Sequence, residues 1–254
     1  MGPQPMGVRN DVLFRVTPDG VPHCRREHRQ QRRAAQRSKS RDSGRVDARV
    51  VGVSRMRRIV VGMTGATGAA LGIELLRRLQ QCPDVDSHLV LSRWARPTIH
   101  PETELSARDV EGLADVVYSW DDQAAAISSG SFRVEGMGIA PCSMKTMAGI
   151  RMGYADGLIA RAADVTLKEH RRLVLVPRET PLSQIHLDNM LALARMGASI
   201  VPPMPAFYHP ASVGDIVAHI VTRILDQFDI ESPGARRWNG VPGAKASKLK
   251  VVNE

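Results

Sequence analysis

Cysteine is scarce in this chain. There are three in 254 residues, Cys24, Cys82 and Cys142, with no CxxC pair and no paired spacing. That argues against a disulfide framework and a zinc site, and makes a reducing compartment the default. Aromatics are also few: four Phe, three Tyr and three Trp. No apolar run approaches the roughly 18 residues that a membrane-crossing helix needs. The first residues lack the apolar core of a secretory signal. A cytoplasmic protein without a membrane contact is therefore expected.

An excess of one charge sign is missing from most of the chain. The net charge is +9, yet residues 1–55 hold 13 Lys and Arg against 5 Asp and Glu, and the rest hold 22 against 21. The basic character belongs to the N-terminal segment, so a nucleic-acid role for the remainder has no support. The 43% hydrophobic and 24% charged content is that of a globular protein, and the length suits one sizeable core with extra segments.

Residues 1–55 lack a sustained hydrophobic period. The run His28-Arg-Gln-Gln-Arg-Arg-Ala-Ala-Gln-Arg-Ser-Lys-Ser-Arg41 cannot bury enough apolar surface to offset chain entropy. A disordered basic extension is expected, and its five acids weaken a transit-peptide reading. Met56 stands directly before the first strand and is the expected natural start. The main domain is expected over 56–240, followed by a tail over 241–254.

From Arg58 the pattern alternates strand and helix. Strands are expected at 59–63, 87–91, 116–118, 137–141, 173–176 and 199–201. Helices are expected at 69–81, to about Thr98, at 106–115, from Cys142 onward with Ser143 as N-cap, at 157–168, at 183–196 closed by Gly197, and at 212–228 capped by Ser212. Strands alternating with helices predict an α/β fold. Its core is a doubly wound, mostly parallel sheet in a three-layer, flavodoxin- or Rossmann-like sandwich.

Ligands of such sheets sit beyond the carboxyl ends of the strands. The apolar run Leu173–Val176 reads as a buried parallel strand that delivers Arg178 and Glu179 to that rim, with Lys168 just before it; the plainer reading is a solvated turn. The loop Gly62-Met-Thr-Gly65-Ala-Thr-Gly68, with Gly72, would let backbone approach a ligand and aim a helix N-terminus at a phosphate. Its spacing is not GxGxxG. The second strand ends in Ser92-Arg93 rather than in an acid for a ribose diol, which leaves mononucleotide and dinucleotide binding alike open. Pro141-Cys-Ser-Met-Lys-Thr146 offers backbone N–H groups and two hydroxyls, or simply an ordinary N-cap. Cys142 lacks a matched His and Asp and reads as a small buried residue. Tyr208-His209 sits in a proline-stiffened loop, with Arg223 in the following helix; either side chain could be a plain packed or surface group.

Taken together these stretches resemble the UbiX-type flavin prenyltransferase family. The matching motifs are Gly65-Ala-Thr-Gly68, Ser92, Pro141–Thr146, Arg161–Glu169, Leu173–Pro181, Ile185–Met190 and Pro202–His209. The resemblance runs in order over about residues 57–240. It implies a flavodoxin-like sheet, a homododecamer and a metal-independent transfer of the dimethylallyl group of dimethylallyl monophosphate to reduced FMN, at N5 and then C6. The prenylated FMN would go to a partner UbiD-type decarboxylase. The resemblance assigns FMN to Gly65, Ala66, Thr67, Ser92, Ser143, Met144, Lys145, Thr146 and Arg178. It assigns the dimethylallyl phosphate to Lys168, Tyr208 and Arg223, charge-assisted donors of the kind a monophosphate needs. Glu179 would do acid–base work, Glu102 is a further matched carboxylate, and Trp238 would close over the site. Thr67 stands where many members have Ser, and its extra methyl is expected to narrow the pocket beside the flavin.

Two other readings stay open. One is an FMN-dependent cysteine-type decarboxylase, for which His100 is the only His near a suitable position. The other is an FMN-binding accessory subunit of a hydroxyarylic acid decarboxylase. Ubiquinone biosynthesis and phenolic acid breakdown are both open as the pathway served.

Overall fold

The computed structural model describes residues 56–206, 212–232, 234–235 and 237–238; the N-terminal extension over 1–55 and the tail over 241–254 lie outside them. Six strands form one parallel sheet: β1 (Arg57–Met63), β2 (Val85–Leu91), β3 (Val116–Tyr118), β4 (Gly136–Cys142), β5 (Arg172–Pro177) and β6 (Ser199–Ile200), in the order β3-β2-β1-β4-β5-β6. Seven helices are described: α1 (Ala69–Gln81), α2 (Ala95–Thr103), α3 (Ala107–Glu111), α4 (Met144–Arg151), α5 (Leu158–Lys168), α6 (Gln184–Arg195) and α7 (Val213–Asp226).

The β1 sequence shows why the sheet is buried on both faces. Ile59, Val61 and Met63 point into one core with α1 and α7, while Val60 points into a second with α4 and α5. Both cores exclude water, so the strand reads as an uninterrupted apolar run rather than an alternation. Helix α1 buries Leu71, Leu75, Leu76 and Leu79 on one side, each contributing about 1.5–3 kcal/mol of burial. Gly72 lets that helix lie against the sheet: a Cβ there would stand 2.4 Å from the Ala140 carbonyl oxygen of β4.

Several helix ends obey local chemistry. Ser143, Ser183 and Ser212 each cap the helix that follows, the last two through reciprocal boxes with His186 and Asp215. Gly197 sits at a φ of 96° just past α6, a conformation costly to residues with a Cβ. Two expectations needed adjustment. Helix α2 runs through Pro101 to Thr103 instead of stopping near Thr98; the missing proline N–H costs it one bond, and Thr103 Oγ1 donates to the Ile99 carbonyl at 2.7 Å. The helix expected over 106–115 is only the short α3.

The strand order reverses between β1 and β4. Ligands of doubly wound sheets sit beyond the carboxyl ends of the strands at such a point.

Candidate functional site

Four loops meet at this edge, and backbone bonds tie them in sequence. The Ser92 amide, after β2, donates to the Met63 carbonyl at 2.9 Å. Thr64, after β1, bonds across the reversal point through its amide and its hydroxyl to Pro141 near the end of β4, and through its hydroxyl to Ser143 just after it. The Arg178 amide, after β5, reaches the Cys142 carbonyl at 3.4 Å. The edge therefore gathers Gly65, Ala66, Thr67, Ser92, the 143–146 turn, Arg178 and Glu179.

The β1–α1 turn is shaped by contact. A Cβ on Gly65 would stand 2.5 Å from that of Trp94, so glycine lets the β1 and β2 loops close on each other. Gly68 takes a φ of 107°. The amides of Gly68 and Ala69 both donate to the Glu102 carboxylate at 2.8 Å. The start of α1 is thus filled by a protein anion. This corrects the expectation that this helix terminus itself meets a phosphate. The Gly65, Ala66 and Thr67 amides, by contrast, bond to no group among the described residues.

The β4–α4 turn offers donors differently. Ser143 Oγ accepts from the Thr146 amide at 3.3 Å and lies 3.1 Å from Thr146 Oγ1. The Met144 and Lys145 amides open the helix, where no carbonyl precedes them for an intrahelical bond. Lys145 points outward toward Asp156 at 3.7 Å. Beside this turn lies Arg178, whose Nε is buried and has no hydrogen-bond partner among the described residues. A buried guanidinium N–H left unpaired is costly, so the site asks for an acceptor at this point. Cys142 is fully buried, and burial pushes its thiol up to about 12. It stays a protonated packing residue.

The residues expected to hold a second phosphate do not join this group within one chain. Lys168 ends α5, just before β5 begins, and so stands at the amino edge of the sheet. It pairs there with Glu169. Arg223 lies in the last turns of α7, which also descends to the amino edge: the Arg57 side chain donates to the Phe228 and Asp229 carbonyls just beyond it. Arg223 and Arg237 both bind Asp226, at 2.6 and 2.7 Å. Trp238 follows Arg237 and is 61% exposed, away from its own carboxyl edge. Tyr208 lies outside the described residues. Glu179 is exposed and accepts from the Thr180 amide at 3.2 Å.

Thr64 and the Asp226–Arg237 pair were not singled out from sequence. The available signal for Thr64 was its place, a hydroxyl directly after a central strand.

With that geometry in place, the comparisons are specific. The Flavoprotein family matches residues 49–225. The chain is 68% identical over 191 residues to a probable UbiX-like flavin prenyltransferase of Streptomyces sp. (strain D7), covering 75% of this chain and 96% of that one. It is 52% identical over 188 residues to the flavin prenyltransferase UbiX of Escherichia coli (strain K12), covering 73% and 100%. Among solved structures, a dodecameric FMN-dependent UbiX-like decarboxylase from Escherichia coli O157:H7 superposes with a TM-score of 0.71 at 66% identity, covering 72% of this chain and 100% of that one. AnUbiX (PadA1), solved with FMN and dimethylallyl pyrophosphate, gives 0.72 at 55% identity, covering 74% and 100%.

Proposed function

The chain belongs to the Flavoprotein family and, within it, to the UbiX-like flavin prenyltransferases, and from that premise we propose how its residues join a dimethylallyl group to reduced FMN. It is a prenyltransferase and FMN is the group it works on. The carrying observation is the unpartnered, buried Arg178 Nε at the strand-order reversal. The residues there fit a flavin mononucleotide: free amides in the 65–67 turn, the opening amides of α4, the Ser92 hydroxyl and a guanidinium in want of an acceptor. Arg178, Ser143 to Thr146, Ser92 and Gly65 to Thr67 would hold it.

In the transfer, the allylic C–O bond would break as N5 bonds to that carbon, with inorganic phosphate leaving and the N5 proton released; the remaining C=C would then take up a proton as C6 bonds to it and gives up its own proton. Lys168, Arg223 and Tyr208 would hold the phosphate of dimethylallyl monophosphate and stabilise its charge as it departs. Glu179, beside Arg178, would move the protons. Trp238 would exclude water and present a π face to the developing allyl cation.

Lys168, Arg223 and Trp238 stand at the amino edge, whereas Arg178 stands at the carboxyl edge. We therefore read the complete site as shared between copies, with one chain supplying the flavin cradle and others the phosphate grip. A dodecameric relative supports an assembly, and so do exposed Ile185, Leu187 and Leu191 on α6, apolar surface suited to a symmetric interface. The prenylated flavin would pass to a UbiD-type decarboxylase.

The test is anaerobic incubation of the purified chain with reduced FMN and dimethylallyl monophosphate, followed by mass spectrometry of the flavin. A gain of one five-carbon prenyl unit is expected. Bound flavin of unchanged mass would overturn the transferase reading in favour of an accessory flavin carrier.

A further inference from the structure

We propose that Thr64 is a positioning residue that sets the spacing between the two flavin-holding turns; this rests on the flavin reading above. Thr64 is 2% exposed, directly after β1, and its hydroxyl and its amide both bond across the strand-order reversal. Its Oγ1 donates to the Pro141 carbonyl at 2.8 Å and accepts from the Ser143 amide at 2.8 Å, while its own amide donates to Pro141 at 3.1 Å. Among the described residues, no other side chain of the β1–α1 turn is seen to bond to the β4–α4 turn.

Two consequences follow for the site. The Ser143 N–H is consumed by Thr64, so the donors left to a ligand at the start of α4 are Met144 and Lys145. The β1–α1 turn is held in register with the Ser143 cap and, through Cys142, with Arg178. A flavin gripped from both turns needs that spacing, because hydrogen-bond strength falls steeply with distance and angle. Thr64 itself needs no contact with the flavin.

The test compares Thr64→Val, which keeps the branched shape but loses the hydroxyl, with Thr64→Ser, which keeps the hydroxyl. FMN affinity and the visible circular dichroism of bound flavin are measured on the full chain, well below each variant's melting temperature. Thr64→Val removes the bonds that fix the two turns relative to each other, so it is expected to bind FMN roughly 10-fold more weakly, with an altered dichroic band. Thr64→Ser is expected to restore both. A Thr64→Val protein of lower melting temperature but unchanged FMN affinity and dichroism would reduce Thr64 to a fold-stabilising role and overturn the proposal. Should Thr64→Val not fold, Thr64→Cys, whose thiol is a weak donor and acceptor, decides in the same way. Wild-type protein that binds FMN but transfers no prenyl group would sink the transferase reading and leave this one standing.

Discussion

The Glu102 carboxylate caps helix α1 through the Gly68 and Ala69 amides, both at 2.8 Å. One acidic side chain from α2 thus fixes the end of the β1–α1 turn and complements the positive end of the helix dipole. Glu102→Gln keeps an acceptor but loses the charge. It is expected to lower stability by about 0.5–1 kcal/mol, and Glu102→Ala by more, in chemical denaturation. Equal stability of all three proteins would mean the contact contributes nothing.

Gly72 faces the Ala140 carbonyl, and the obstacle is backbone. An added Cβ would also stand 2.9 Å from Met63 side-chain atoms. Gly72→Ala is therefore expected to push α1 off the sheet and cost about 1–3 kcal/mol, as overpacking does. A shifted urea midpoint with an unchanged slope would report this.

Arg178 separates charge from geometry. Arg178→Lys keeps the positive charge but removes the Nε–H that finds no partner among the described residues. A hydrogen bond to a charged group contributes about 1.5–3 kcal/mol, so FMN affinity should fall roughly 10- to 100-fold. Titration followed by flavin fluorescence measures it. A Lys variant with wild-type affinity would show that charge alone suffices.

Asp226 gives a pH dependence. The Arg237 hydrogen bond, then the charges of Arg237 and Arg223, hold its carboxyl below the ordinary 3.8, against an opposing effect of burial. A carboxyl depressed in the folded state stabilises fully above its unfolded value. That contribution is lost as pH falls from about 4 through the folded value. Asp226→Asn should thus melt below the wild type at pH 7, and the gap should narrow as the pH falls from about 4 through the folded value. A gap that persists unchanged at low pH would contradict the ion pair. The same pair anchors the segment leading to Trp238, so the variant should also slow prenyl transfer.

Much of the fold was legible because burial on both faces leaves an unmistakable mark: Ile59–Met63, Leu89–Leu91 and Leu173–Val176 are apolar runs set between helices. The caps at Ser143 and Ser212 were equally plain, since a hydroxyl before a helical period has one obvious partner; the cap at Ser183 is a finding of the structure. The α2 boundary was obscured by Pro101, because proline in a helix removes a donor without ending the helix when packing of Ile99 holds it. The grouping of the site was only half visible. Sequence order put Lys168 close to Arg178, but a strand lies between them, and its length carries them to opposite edges. The capture of α1 by Glu102 depended on a contact across 34 positions, which no local spacing signals. Thr64 escaped for the same reason: its partners lie 77 and 79 residues away.

The sharing of one site between copies is tested most directly by complementation. Lys168→Ala and Arg178→Ala proteins, each inactive alone, are dissociated, mixed in equal amounts and reassembled, and the flavin is weighed after anaerobic reaction with dimethylallyl monophosphate. If the two residues reach one site from different chains, random assembly leaves about a quarter of the sites intact, and prenylated FMN forms at about a quarter of the wild-type rate. No prenylated flavin from the mixture, with wild type treated identically remaining active, would place both residues in one chain's site and contradict the shared arrangement.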